Sequence, residues 1–344
     1  MNRMNQFLIS YGRLFLFALA FGEQSGLPVP AAEPVTIALP AGASSAMIQM
    51  ALDSLPAVGG EVVLPAGTFV IGHPIVLRRD HQSLRGADDA TLLRLADGAN
   101  CPVIILGDPV NNPRTTVKYV RVSDLFIDGN RAHQQRELWR LQGEGSEIRN
   151  NGITVQNVSD STVERVTCTR CRSGGLVTTR GVRRLTVSNY TAFDNEFDGL
   201  ACYETTDSLF TDLNLYDNPG AGISLDLGFN RNVVSNAVLV GNDLGIFMRA
   251  SRHNRFYAVS IRNSRHFGVF MADTAEKTAS GWQPVPGSEC SYNSFTNLDA
   301  SGCGGPAFHI NDITCVNNVI TQAQFSGNLH GGLSLVEPHL LTMR

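Results

Sequence analysis

From residue 150 onward the chain repeats itself, and this limits what it can fold into more than any other feature. A Gly followed by alternating apolar residues recurs as Gly152-Ile-Thr-Val, Gly175-Leu-Val-Thr, Gly199-Leu-Ala-Cys, Gly222-Ile-Ser-Leu, Gly245-Ile-Phe-Met and Gly268-Val-Phe-Met. Successive glycines lie 23, 24, 23, 23 and 23 residues apart, and two further copies follow at Ala307-Phe-His-Ile and Gly332-Leu-Ser-Leu. Each unit holds three short extended pieces separated by turn residues, as in Ile223-Ser-Leu, Asn232-Val-Val and Ala237-Val-Leu-Val. A unit this short cannot bury its own apolar face, so neighbouring units must stack into a solenoid. No helical pattern of about ten residues intervenes, which excludes leucine-rich and α/β repeats.

Asparagine supports the same architecture. Eighteen of the 25 Asn residues fall after position 150, and Asn195, Asn218 and Asn328 each precede a strand-opening residue by four places. Asn tolerates the left-handed backbone of tight turns, and stacked amides can hydrogen-bond from rung to rung. Upstream, Met47, Ile48, Ala51, Leu52 and Leu55 stand at helical spacing behind serines able to cap the helix. The expected element is a helix over 44–55 that closes the open end of the core, with irregular coils from Phe69 to Asn150 and regular rungs over 152–340. The chain thus reads as one all-β domain over 40–340. Residues 1–31 read as a signal peptide: an apolar stretch interrupted by Arg13, then a Val29-Pro30-Ala31 step. A secreted or periplasmic protein without a membrane span is expected. The 27 basic against 31 acidic residues argue against nucleic acid as a partner. Cys168-Thr-Arg-Cys171 has redox or zinc spacing without the context for either, and Cys290, Cys303 and Cys315 offer material for one disulfide.

Strand alternation sorts the side chains after each glycine. Positions one and three (Ile153/Val155, Leu200/Cys202, Ile223/Leu225, Ile246/Met248, Val269/Met271) are apolar and form the core. Positions two and four form an outer wall. Its fourth-position column reads Gln156, Thr179, Tyr203, Asp226, Arg249, Ala272, Asn311, and its second reads Thr154, Val177, Ala201, Ser224, Phe247, Phe270, His309. Tyr203, Asp226 and Arg249 should form one strip at rung spacings of about 4.8 Å, with Glu204 and Asp273 leaning toward it. Both tryptophans lie in insertions expected to border the wall, Trp139 within 131–150 and Trp282 within 274–291. A flat indole suits the apolar face of a sugar ring, or packs its own loop.

Together, the capping helix with Gly59-Gly-Glu-Val-Val-Leu-Pro-Ala-Gly-Thr, the turn Ile127-Asp-Gly-Asn-Arg131, the rung Ala192-Phe-Asp-Asn-Glu-Phe-Asp-Gly199 and the Gly-opened repeats resemble the pectate-lyase-like right-handed parallel β-helix superfamily. Within it the chain looks most like the catalytic module of mannuronan C5-epimerases. That resemblance implies the fold, and less strongly the activity, because the fold hosts lyases, epimerases, hydrolases and inert spikes. One departure stands out. The family's outward Asp and His on the rung before Ala192–Gly199 are here Val177 and Thr179.

An acidic polysaccharide is the expected partner. Polyuronate lyases and epimerases both begin by removing the C5 proton beside a sugar carboxylate, which needs a cation and a positioned base. Arg249 fits as a carboxylate clamp, Tyr203 as base or acid, and Asp226 as a group that tunes the tyrosine. Asp226 and Glu204 would be the ligands were Ca²⁺ required; no other cofactor is implied. Glu204, Phe247, Trp139, Trp282, His309 and Asn311 are candidates for sugar contact. The plain alternatives are a cross-rung ion pair for Asp226 and Arg249 and a β-favoured surface aromatic for Tyr203. A glycosidase would need two carboxyls facing one sugar, for which Asp226 with Glu204 is the obvious pair. A non-catalytic sugar-binding spike or adhesin fits the missing motifs as well.

Overall fold

The computed structural model describes residues 33–110, 112–135, 150–278 and 280–344; the segment read as a signal peptide and Trp139 lie outside them, as does the side chain of Trp282. The strands that follow the glycines stack in parallel and in register. Ile153 lies on Leu176, Leu176 on Leu200, Leu200 on Ile223, Ile223 on Ile246, and Ile246 on Val269. Phe308–Ile310 and Leu333–Leu335 extend the stack at one end. At the other end the sheet runs on before Gly152, through Ile104–Leu106 and Ile75–Leu77. The coils expected to be irregular therefore already contribute rungs, and ten strands of the described residues share this sheet.

Eighteen further strands of the described residues form a second, larger parallel sheet that folds over a corner, and two more form a separate antiparallel hairpin. In Leu209–Tyr216 and Val233–Val240 the register runs Thr211 on Ser235, then Leu213 on Ala237, skipping Asp212 and Asn236. Those two residues have φ of 55° and 51°. One left-handed residue turns the strand, so each coil acquires three sides. A second left-handed column, Asn157, Arg180, Glu204, Leu227 and Ala250, ends the short strands. Leu and Ala gain nothing locally from this conformation, which costs them about 1–2 kcal/mol. The rung hydrogen bonds hold them there, among them Glu204 N–H to Leu227 O at 3.2 Å and Ala250 N–H to Ser288 O at 2.8 Å.

Two buried amide ladders run along the stack. Asn195 donates to Asn218 and Asn218 to Asn242, at 3.1 and 3.0 Å. The second, which the four-residue offset did not reveal, is Asn232–Asn254–Asn293–Asn318, with links of 3.3, 3.0 and 3.1 Å. The strand-opening glycines mark close approaches between coils. A Cβ on Gly245 would stand 2.4 Å from the Gly268 carbonyl oxygen, and one on Gly268 2.3 Å from that of Ala307.

The capping helix spans Ser45–Ser54, with Ser44 accepting the Met47 N–H. Ile48, Ala51 and Leu52 are buried, while Met47, expected on the same face, is 43% exposed because it lies a quarter-turn off their stripe. The turn 127–131 proves to be a tie between coils. Asp128 takes a two-pronged contact from Arg170 and the Asn130 N–H, and Arg131 reaches the Asp194 carboxylate and carbonyl.

Outside the core, opposite charges one coil apart pair with both prongs engaged: Arg165 with Asp124, Arg184 with Asp160, Arg231 with Asp207. The Arg184 and Arg165 contacts hold the Asp160 and Asp124 carboxyls down at about 2, and Arg231 lowers Asp207. A carboxylate whose folded pKa lies below its unfolded value contributes stability above the unfolded pKa and loses it as pH falls through the folded one. Asp88, held up by its hydrogen bond to Asp124, works the other way and offsets part of that loss. The melting temperature should therefore fall as pH drops from about 4 to about 2, and less steeply in Asp160→Asn. Thermal melts across that range check this.

Candidate functional site

The alternation after Gly199, Gly222 and Gly245 brings Tyr203, Asp226 and Arg249 onto three successive rungs. Tyr203 is in register with Asp226, and Arg249 reaches back one coil to the Asp226 carboxylate. Leu225 and Met248, one place earlier, are fully buried in the core, so the three side chains lie on the opposite, outer face. Asp226 is nonetheless only 2% exposed. Its Oδ2 accepts from both Nε and Nη2 of Arg249, and its Oδ1 from the Leu227 N–H at 2.7 Å. Arg249 is 40% exposed along its side chain, and its Nη1 has no hydrogen-bond partner among the described residues. The Asp226 carboxylate, aided by the Tyr203 phenol and opposed by burial, raises the Arg249 pKa, so this cation is permanent.

The outer wall is thus not uniformly open. Gln156, Thr154, Ala201, Ser224 and Ala272 point outward yet are buried; the Gln156 amide donates to the carbonyls of Asp108 and Val110 on a covering loop. Tyr203, Arg249, Phe247, Phe270 and His309 stay half-exposed. Val177 and Thr179 stand on the preceding rung, in register with Thr154 and Gln156.

Other expected residues divide. Glu204 is exposed at a left-handed corner, φ 47°, where strand alternation ends. Asp273 accepts from the Thr314 hydroxyl at 2.6 Å, and its N–H donates to Asp312, so it belongs to a turn network. Asn311 donates to Asp312 at 3.0 Å in that same turn. His309 lies two rungs beyond Arg249, its Nδ1 2.9 Å from the Ser334 hydroxyl. Trp282 lies in an antiparallel hairpin, Ala275–Thr278 with Gly281–Pro284, opposite Lys277. No group of three or more His, Cys, Asp or Glu suited to a metal occurs among the described residues. Asp226, offered as a calcium ligand, has an arginine where calcium would need further oxygens.

Sequence reasoning passed over two aromatics. Phe270 packs between Phe247 and His309 at ring-centroid distances of 5.9 and 5.3 Å, and Phe267 lies 5.1 Å from Phe270 and 4.9 Å from His309. Arg249 stands 5.8 Å from the Phe247 centroid. Phe270 was visible in the second-position column; Phe267 precedes its glycine, where alternation gives no guidance.

The Cys168–Cys171 pair is fully buried, and burial pushes the Cys168 thiol up to about 12 and that of Cys171 up as well. Neither redox nor zinc chemistry suits such thiols. All seven cysteines are free; Cys290 and Cys315 lie side by side, with the Cys290 N–H 3.4 Å from the Cys315 sulfur and the two thiols in contact. A thiol reagent should leave Cys168, Cys171 and Cys202 unlabelled in the folded protein and label them after denaturation; mass spectrometry of the adducts tests this.

Comparison with known proteins bears on the handedness of the coil. Residues 105–261 match the family model described as right handed beta helix region. The A-module of a mannuronan C-5 epimerase from Azotobacter vinelandii superposes with a TM-score of 0.55 at 17% identity, over 89% of this chain and 97% of that one. The chain is a right-handed parallel β-helix. Similar β-helices include the Yersinia enterocolitica family 28 exopolygalacturonase (TM-score 0.57, 12% identity, 91% of this chain and 78% of that one). Another is the N-terminal fragment of bacteriophage phi29 gene product 12 (0.61, 14%, 86% and 56%). Comparison with curated protein sequences gives no significant match. No helix of the described β-helix is long and apolar enough to cross a membrane.

Proposed function

We propose that this β-helix is an exported protein that holds an acidic polysaccharide along the wall of its short-strand sheet. There it abstracts the C5 proton of a uronate, as a lyase or a C5-epimerase. The observation that carries the reading is Arg249, a permanent, half-exposed cation with Nη1 unengaged, beside Tyr203 and an aromatic ring. The fold is shared with a mannuronan C-5 epimerase module and an exopolygalacturonase, both named for uronate polymers, which is consistent with the reading.

In this scheme Arg249 pairs with the sugar carboxylate and so stabilises the enolate formed when C5 loses its proton. Asp226 aims the guanidinium by holding Nε and Nη2. The Tyr203 oxygen, in register with Asp226 on the same outer face, takes the proton. A lyase then breaks the C4–O bond, the proton passing to the leaving oxygen and a C4=C5 double bond forming. An epimerase instead takes up a proton from water at C5 on the opposite face, while Tyr203 gives the proton it took to solvent. Hydrolysis is disfavoured, since Asp226 has both oxygens engaged and Glu204 sits at a corner. Simple binding is the second reading, favoured by the aromatic strip.

Incubation with alginate and with pectate separates these outcomes. Ultraviolet absorbance of an unsaturated product marks a lyase, and altered proton NMR of an intact polymer marks an epimerase. New reducing ends without either would overturn the scheme, as would binding without turnover.

A further inference from the structure

We propose that Phe247, Phe270 and His309, flanked by Phe267, form an apolar platform of aromatic edges on which the apolar faces of successive sugar rings lie, beyond the ring whose carboxylate Arg249 holds. This rests on the reading of Arg249 given above and adds where the rest of the chain lies. Three residues on consecutive rungs carry it, each in register with the next: Phe247 with Phe270, and Phe270 with His309.

The β-helix contains an interior aromatic stack for contrast. Phe256 and Phe295 lie 4.4 Å apart and are 2% and 1% exposed, as a ladder serving the core should be. The Phe247–Phe270–His309 series is on the outer face, with Ile246, Met248, Val269 and Met271 taking the core positions, and it stays half-exposed. Burying the outer edges of three aromatic groups would add stability, so leaving them open suits a surface that awaits a flat apolar face. Phe247 and Phe270 stack on each other with planes 9° apart, which fixes both rings, and the Ser334 contact orients His309, so the strip is pre-formed.

Charge complementarity selects the occupant. Arg249, 5.8 Å from the Phe247 centroid, puts a cation with an unengaged Nη1 at one end of the apolar strip. A ligand that uses both has a carboxylate on one unit and apolar ring faces on the next: a uronate oligosaccharide laid along the solenoid axis. At about 4.8 Å per rung, the three aromatic rungs span about 10 Å, room for about two sugar rings beside the one at Arg249.

Isothermal titration of the full chain with a tetrauronate, a single uronic acid and a neutral cellotetraose tests this. Phe270→Leu keeps most of the apolar volume and removes the ring. It should weaken the tetrauronate by about 5–10-fold, the loss of one aromatic contact, and the monosaccharide by less than about twofold. Phe247→Leu, on the neighbouring rung, should do the same, guarding against a purely local fault. Unchanged tetrauronate affinity in both variants would overturn the platform, as would no binding of either tetramer by the wild-type protein. Cellotetraose binding that depends on Phe270, with no binding of the tetrauronate, would uphold the platform and overturn the acidic-substrate reading.

Discussion

Replacing Arg249 with alanine should lower turnover of a polyuronate by about 10²–10³-fold, the loss typical when a preorganised charge facing the developing anion is removed. The single variant has a second consequence. It strands Asp226, 2% exposed, without its cation, and an unpaired buried carboxylate costs about 3–5 kcal/mol. Arg249→Ala should therefore also melt early, and its activity alone would be ambiguous. The double variant Arg249→Ala/Asp226→Asn removes the stranded charge, and its stability should recover while its turnover does not. Arg249→Lys, which keeps the charge but loses the planar fork, should fall between. Full turnover in the folded double variant would remove Arg249 from the site.

Gly245→Ala should destabilise the β-helix by about 3 kcal/mol and lower its melting temperature by several degrees. The added Cβ meets the Gly268 carbonyl oxygen at 2.4 Å and the Ile261 Cγ2 at 2.5 Å, and neither backbone nor packed side chain can withdraw. Gly72→Ala is the control, for nothing lies within 4 Å of its Cβ, and it should be neutral or slightly stabilising. Equal melting of the two variants would remove the close-approach explanation for the glycine column.

That column shows how far the repeat carried the reading. A period of 23–24 residues predicts which residues stack, so the Asp160–Arg184 and Asp226–Arg249 contacts follow from spacing alone. Alternation predicts direction, hence the core side of Ile223 and Leu225. It does not predict cover: Gln156 and Asp226 point outward and are still buried, since what lies over them comes from elsewhere in the chain, as Asp108 and Val110 do for Gln156. The left-handed corners at Leu227 and Ala250 were illegible because neither residue type favours that conformation; the coil imposes it. The turn 127–131 and the rung 192–199, which carry much of the family resemblance, are joined through Arg131 and Asp194 and hold the coils together. This explains why they speak for the fold more than for the chemistry.

The most direct test of the whole account follows a single hydrogen. A polyuronate carrying deuterium at C5, incubated with the protein, should release that label into water, and Tyr203→Phe and the Arg249→Ala/Asp226→Asn double variant should release little. Retention of the label by a polymer that the wild-type protein demonstrably binds or cuts would contradict it.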